Sequence, residues 1–374
     1  MASHPGGVEV FFSGGAEFAD GQLNIVAVVG CGKIAQLKYL PALSAAGIET
    51  ILLTDHSPSL AAAAASALGP SAHVVSDLSQ LIERQPQLVF VLNHDHFETA
   101  RRLLDSQCAV ICEKPLCWRA REAEELVSIA RRREAPLRAA YFRRYDPLVQ
   151  TALDAVDSRG PPQTIVIRQH AGLAAKAIAF ADLKPPAEDR QGIKAALESA
   201  WERRLSALPP KPARQAVRLL LELLIHDLDL LGWIARRAFR VRDAWIEHDA
   251  STMSVRVELE SDEGWRCSVT CAPQFSGPHA WRHEWDLGWD EEKLSIQFGN
   301  PFAFTNEGTV EWRRADESVE RLHAPLADPF ALMISDALSH TIGERRPHQS
   351  ALDAVQTLSL IEAIEAKLKT GVAA

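Results

Sequence analysis

The feature that most constrains this chain is a regular alternation of strand-like and helix-like segments that begins after residue 22. Leu23–Val29 (LNIVAVV) is a short apolar, β-branched run, as a strand buried on both faces of a parallel sheet requires. Further strands are expected at Thr50–Thr54, His73–Val75, Leu88–Leu92, Ala109–Cys112 and Leu137–Ala140. Helices are expected between them, at Leu60–Leu68, Leu78–Arg84, Phe97–Ser106 and Arg119–Arg133. This order predicts an α/β fold with a doubly wound parallel sheet and right-handed crossovers.

After Pro147 the pattern changes. Thr164–His170 reads as a strand, and the Ala-rich stretch 171–214 as helical pieces in a surface excursion. Ala216–Ala235 is a strong helix. Period-2 strands follow at Thr252–Glu260, Trp265–Cys271, His283–Trp289, Lys293–Phe298 and Thr309–Arg313, and helices at Pro329–Ile342 and Leu352–Lys369 close the chain. Consecutive half-buried strands describe an α+β unit: a mostly antiparallel, open-faced sheet with helices on one side. The expected division is a flexible extension over 1–22, a nucleotide-binding Rossmann unit over 23–147, and a substrate-binding and oligomerisation unit over 148–374. The last helices are free to pack back on the first unit.

A length of 374 residues fits two domains. The net charge of -9 argues against a broad grip on nucleic acid. No apolar window is long enough for a transmembrane helix, and the first residues lack a basic segment followed by an apolar run. The six cysteines are too sparse for a disulfide scaffold and form no CxxC pair, so no metal site is expected. Cys267 and Cys271, four strand residues apart, would lie about 13 Å from each other, too far for a disulfide. Reduced thiols in a cytoplasmic protein are the expectation. HExxH, GxSxG and GxxxxGKS are absent, which removes metalloprotease, serine hydrolase and P-loop readings.

Val28-Val29-Gly30-Cys31-Gly32-Lys33-Ile34-Ala35 is a GxGxxA turn at the first strand–helix junction. Gly30 allows the tight turn, Gly32 lets backbone N–H groups approach a pyrophosphate, and Ala35 lets helix and strand come close. Gly30, Cys31, Gly32, Lys33 and Ile34 are therefore expected to line a dinucleotide. Asp55 ends the second strand 25 residues after Gly30, where a carboxylate takes ribose hydroxyls and repels a 2′-phosphate. That favours NAD, with NADP still possible.

Cys112-Glu113-Lys114-Pro115-Leu116, downstream of this turn, resembles the Gfo/Idh/MocA oxidoreductases, the glucose–fructose oxidoreductase and inositol dehydrogenase family. Asn93-His94-Asp95-His96-Phe97-Glu98 is similar to that family's nicotinamide-side loop, without its Pro. Arg144-Tyr145-Asp146-Pro147 is similar to the segment joining its two domains. Glu222 through Asp229 resembles its Asp-x-Gly-x-His-x-x-Asp helix, with Glu222 in place of the first Asp and no preceding glycines. The resemblance implies that Asn93, His96, Glu113 and Lys114 lie at the cofactor.

It also implies hydride chemistry on a carbinol carbon. Lys114 would orient the substrate oxygen, and His226 would take its proton. Glu222, four residues before His226, and Asp229, three after, would share its helix face and support it. Arg144 is either a substrate ligand or an anchor between the two units, and His170 is a weaker substrate candidate. The implied substrate is a sugar, inositol, amino sugar or related polyol. An NAD-dependent glycosidase, an imine reductase and a non-catalytic nucleotide-binding protein stay open. The wet face of the second sheet leads us to expect a homodimer or homotetramer through that sheet.

Overall fold

The structure, a computed structural model, describes residues 23–172, 184–209, 211–248, 253–274, 281–302, 308–324, 326–339 and 351–372. The extension 1–22 lies outside these residues, as do the early part of the 171–214 excursion and 340–342 of the expected helix after Pro329.

Six strands build the first sheet: β1 Ile25–Val29, β2 Thr50–Thr54, β3 Ala72–Val74, β4 Leu88–Val91, β5 Ala109–Glu113 and β6 Leu137–Ala140. All pair in parallel, in the order β3-β2-β1-β4-β5-β6. Strand order reverses between β1 and β4, which opens a crevice at the carboxyl ends of the strands. The helices of this half are α1 Leu40–Ala45, α2 Pro58–Leu68, α3 Leu78–Glu83, α4 His96–Asp105 and α5 Ala120–Arg133. A π-helical turn, Ala35–Tyr39, precedes α1.

A 3-10 turn, Phe142–Tyr145, leads into α6 Pro147–Arg159. The second half holds α7 Ala187–Leu205, α8 Ala213–Leu219, a π-helical turn Leu220–Leu224, α9 Ile225–Ala235, α10 Pro329–Ser339 and α11 Ala351–Lys367. Its nine strands are β7 Thr164–Gly172, β8 Phe239–His248, β9 Met253–Ser261, β10 Arg266–Gln274, β11 Trp281–Gly288, β12 Lys293–Gln297, β13 Thr309–Arg313, β14 Val319–Leu322 and β15 Leu368–Val372. They form one sheet, β14-β13-β12-β11-β7-β10-β9-β8-β15. Among the described residues, only β7–β10 and β8–β15 pair in parallel in this sheet.

Three of these strands escape a reading of period alone. A register shift between Val241 and Asp243 breaks the alternation of β8. β14 is four residues with a mostly exposed pattern. β15 begins at Leu368, where the expected last helix was to continue through Lys369.

The inner face of the second sheet is a continuous apolar layer. Val255, Val257, Val269, Ile167, Trp285, Ile296 and Val310 are all fully buried. Each such side chain contributes roughly 1.5–3 kcal/mol. The opposite face is polar and paired across strands, as in Arg168–Asp286 at 3.0 Å and Ser268–Glu258 at 2.8 Å. All six cysteines are free and buried. No helix among the described residues is long and apolar enough to cross a membrane.

Candidate active site

The crevice starts at the glycine turn. Gly30 has φ +101°, and its N–H donates to the Thr54 carbonyl at 2.8 Å. A Cβ on Gly30 would stand 2.7 Å from Asn93 N and 2.8 Å from Leu92 C, so no side chain fits. At Gly32 a Cβ would meet nothing within 4 Å. Open space therefore adjoins the turn where helical backbone begins, at Lys33, and where N–H groups without intrahelical partners point outward. Lys33 is exposed and Ile34 half-buried.

Asp55 fastens this turn. Its Oδ2 accepts from Cys31 N at 2.7 Å and its Oδ1 from Ser57 N at 2.8 Å. Each carboxylate oxygen keeps a lone pair for a ribose hydroxyl. Cys31 is buried beside that carboxylate, and burial and Asp55 push its thiol up to about 12. Farther along, Asn93 Nδ2 donates to Asp95 O and Thr99 Oγ1, both at 3.1 Å. Asn93 Oδ1 is buried without a partner. Open space at Gly32, a helix start and an orphaned acceptor at Asn93 together fit a nicotinamide dinucleotide.

Glu113 and His96 both hold the turn that carries Lys114. Glu113 Oε1 accepts from Tyr39 Oη at 2.7 Å, and Oε2 from Lys114 N at 3.0 Å. Its carboxylate is spent on holding the lysine turn to the helix that follows the glycine turn. Burial raises it, while Tyr39 and Lys114 hold it down. His96 lies beneath the same turn, where its Nδ1–H donates to Pro115 O at 2.6 Å.

Burial lowers the His96 imidazole to about 4. An unfolded chain takes up that proton near 6.5, so the folded state gains stability as pH rises from 4 to 6.5 and loses it as pH falls. We expect acidification across this window to cost about 3 kcal/mol through His96 alone. His96→Asn should flatten that part of the stability–pH curve. An unchanged slope would show that His96 is not the titrating group.

The second half brings α9 to the crevice. Lys114 Nζ donates to the backbone carbonyl of Glu222 at 2.6 Å. Glu222 lies in the π-helical turn, one helical turn ahead of His226, and its side chain is exposed. Glu222 thus meets Lys114 through its backbone, a correction to its expected role beside His226. Burial lowers the Lys114 ammonium, and Glu113 and Glu222 counter this. His226 is 9% exposed, with the Phe142 ring 4.8 Å away edge-on and Nδ1 buried without a partner. Burial, then the charges of Lys114 and Arg143, keep its pKa well below 6.5. The imidazole is neutral at neutral pH.

Asp229 also needs correction, and of the two readings of Arg144 the structure favours the anchor. The Asp229 carboxylate lies against Arg144, accepting from Nε at 2.7 Å and from a second guanidinium nitrogen, and does not orient His226. Arg144 Nη1 reaches Asp353 of α11 at 2.7 Å, and its guanidinium lies 4.6 Å from the Trp233 ring centre. Arg144 is therefore a brace between elements, which removes it as a substrate ligand. His170 falls on the polar face, opposite Arg282 in the register. Its neighbour Gln169 is the residue on the buried face, opposite His283. One position along a strand decides this.

Sequence reasoning passed over Asp227 and Arg143, which the structure gathers near His226 together with the sheet residue His283. Asp227 Oδ1 accepts from Trp285 Nε1 at 2.7 Å and pairs with His283 Nε2 at 2.5 Å. Arg143 is 2% exposed, bonds Asp146 at 3.2 Å and lies over Phe142, Trp281 and Phe298. A buried acid beside the motif histidine and an arginine beside the anchoring one were the available signals.

Residues 25–141 match the model of an oxidoreductase family with an NAD-binding Rossmann fold, GFO_IDH_MocA. The chain is 27% identical over 216 residues to the myo-inositol dehydrogenase Hyg17 of Streptomyces leeuwenhoekii, covering 57% of this chain and 56% of that protein. It is 28% identical over 124 residues to the uncharacterized oxidoreductase YhhX of Escherichia coli, covering 32% of this chain and 33% of YhhX. The alignments thus span about half and a third of those relatives' lengths.

Many solved structures share the fold, among them the following two. The 3-ketoreductase KijD10 of Actinomadura kijaniata, in complex with NADP and TDP-benzene, has a TM-score of 0.68 at 20% identity, covering 94% of this chain and 99% of that one. The UDP-N-acetylglucosamine 3-dehydrogenase GnnA of Acidithiobacillus ferrooxidans has a TM-score of 0.69 at 16% identity, covering 92% and 97%. Residues 25–141, with their glycine turn and Glu-Lys-Pro strand end, are similar to the NAD-binding Rossmann part of the Gfo/Idh/MocA oxidoreductases.

Proposed function

We propose that this chain is a nicotinamide-dependent oxidoreductase acting on a carbinol or carbonyl carbon of a sugar, inositol, amino sugar or related polyol. The observation that carries this is the Lys114–Glu222 contact, which seats the lysine that follows β5 one helical turn from a neutral, buried His226. When bound, the nicotinamide supplies the hydride acceptor or donor.

The chain's residues handle the rest. Lys114 donates a hydrogen bond to the substrate oxygen and favours its negative charge in the transition state. His226 has one unprotonated nitrogen and takes the hydroxyl proton in oxidation. Lys114 and Arg143 oppose a lasting imidazolium, so they favour handing the proton onward. In reduction the same groups deliver it. The names of the relatives, an inositol dehydrogenase, a 3-ketoreductase and a nucleotide-sugar 3-dehydrogenase, support a polyhydroxylated substrate.

Incubating the full chain with NAD and a panel of inositols, sugars and nucleotide sugars, while following absorbance of the reduced nicotinamide, tests the proposal. Reduced cofactor should accumulate with at least one class. Tight NAD binding without turnover on any of them would overturn it in favour of a binding protein. Release of an aglycone with no net reduction would do so in favour of a glycosidase.

A further inference from the structure

Helix α7 lies across the mouth of the crevice, and its two ends touch both halves of the dinucleotide track. At its start Ser57 Oγ donates to Asp189 Oδ2, and a Cβ on Gly192 would stand 3.9 Å from His56 Nε2. Near its end Arg203 reaches Asp95 Oδ2 at 2.7 Å, and the Trp201 ring lies 4.7 Å from that of Trp118. The helix therefore spans the segments that follow β2, β4 and β5.

We propose that Asp189 is a cofactor-selecting residue which, with Asp55, excludes a dinucleotide carrying a phosphate on its adenosine ribose. This rests on the reading above that a nicotinamide dinucleotide follows the glycine turn. Two carboxylates converge on one fully buried serine: Asp55 Oδ1 accepts from Ser57 N at 2.8 Å, and Asp189 accepts from Ser57 Oγ. The hydroxyl lies two residues past the ribose carboxylate, where it could otherwise donate to a phosphate. It is consumed by a second acid supplied from the other half of the molecule.

The basic side chains on this part of α7 are turned elsewhere. Arg190 Nε donates to Pro185 O at 2.8 Å, and Lys194 pairs with Glu198 at 3.7 Å. A 2′-phosphate placed here would face two negative charges with no cation from α7 to offset them. A ribose with free hydroxyls would meet only acceptors it can satisfy. Selection would thus come from a repulsive element as much as from the attractive one at Asp55.

The test is equilibrium binding of NADH and NADPH to the intact chain, followed by nicotinamide fluorescence, which needs no substrate. The wild type should hold NADH on the order of a hundredfold more tightly than NADPH. Asp189→Asn, which keeps an oxygen for Ser57 but no charge, should tighten NADPH about tenfold and move NADH by less than about threefold. Ser57→Ala leaves both carboxylates in place and should keep the preference for NADH.

Equal wild-type affinities, or a preference unmoved by Asp189→Asn, would overturn the proposal while leaving the oxidoreductase reading intact. The same shift from Ser57→Ala as from Asp189→Asn would also overturn it, because geometry rather than charge would then decide. Wild-type binding of neither dinucleotide would remove the oxidoreductase reading itself, and this one with it.

Discussion

Lys114→Ala should lower kcat by about a thousandfold while changing the affinity for the dinucleotide by less than about threefold. Lys114 leaves the carboxyl end of β5, and Glu113 and His96 hold the turn that aims it. Its ammonium reaches the backbone of Glu222 without needing an acid for a partner. That leaves donors free for a substrate oxygen, since an ammonium carries three. The affinity should survive because the dinucleotide's other contacts, at the glycine turn and Asp55, are untouched. Lys114→Arg should not restore the rate, as a planar guanidinium cannot replace a point donor in a confined site. Stopped-flow measurement with saturating cofactor distinguishes the cases. A kcat within tenfold of wild type would remove Lys114 from the chemistry.

Arg144→Met should lower stability by about 3–5 kcal/mol, on the order of 10 °C in the thermal midpoint. The guanidinium is 2% exposed and serves Asp229 with two nitrogens and Asp353 with a third. Removing it strands the Asp229 carboxylate among apolar neighbours. Burial has already pushed Asp229 up to about 6, and Arg144 is the group that keeps it from rising further.

The sign of the pH effect follows. Without Arg144 the folded chain holds a proton on Asp229 above pH 6, whereas the unfolded chain has lost it near 3.8. The variant should therefore lose stability as pH rises through and beyond that window. Arg144→Met with Asp229→Leu should recover most of the loss, because no buried charge is left unpaired. Thermal melts at pH 6 and pH 8 would check both parts. A double variant no better than the single one would show that the ion pair is not the source of the effect.

Much of the fold is written in local pattern. The apolar runs of the first sheet and the turn Gly30-Cys31-Gly32 have the spacing their geometry demands, and β2 and β6 run over the expected residues. Lys114 and His226 were legible because each sits in a motif. Their surroundings were not, because partners come from far along the chain. Asp229 meets Arg144 across 85 residues, so spacing alone paired it with His226. His170 and Gln169 differ only in which face the helices cover, and no strand encodes that by itself. Where α7 meets the segment after β4, the contact is an ion pair between residues 108 apart.

Helix α11 carries a consequence of its own. One of its residues, Asp353, grips Arg144, while Glu365 near its end binds Arg204 of α7 and Glu362 meets the backbone of Ala120 in α5. The nucleotide half is therefore not a detachable cassette. Its α5 surface, the crossing helix and the aromatic turn under His226 are all moored to the same seventeen-residue rod. A slackening there would be felt at the reacting centre without touching it.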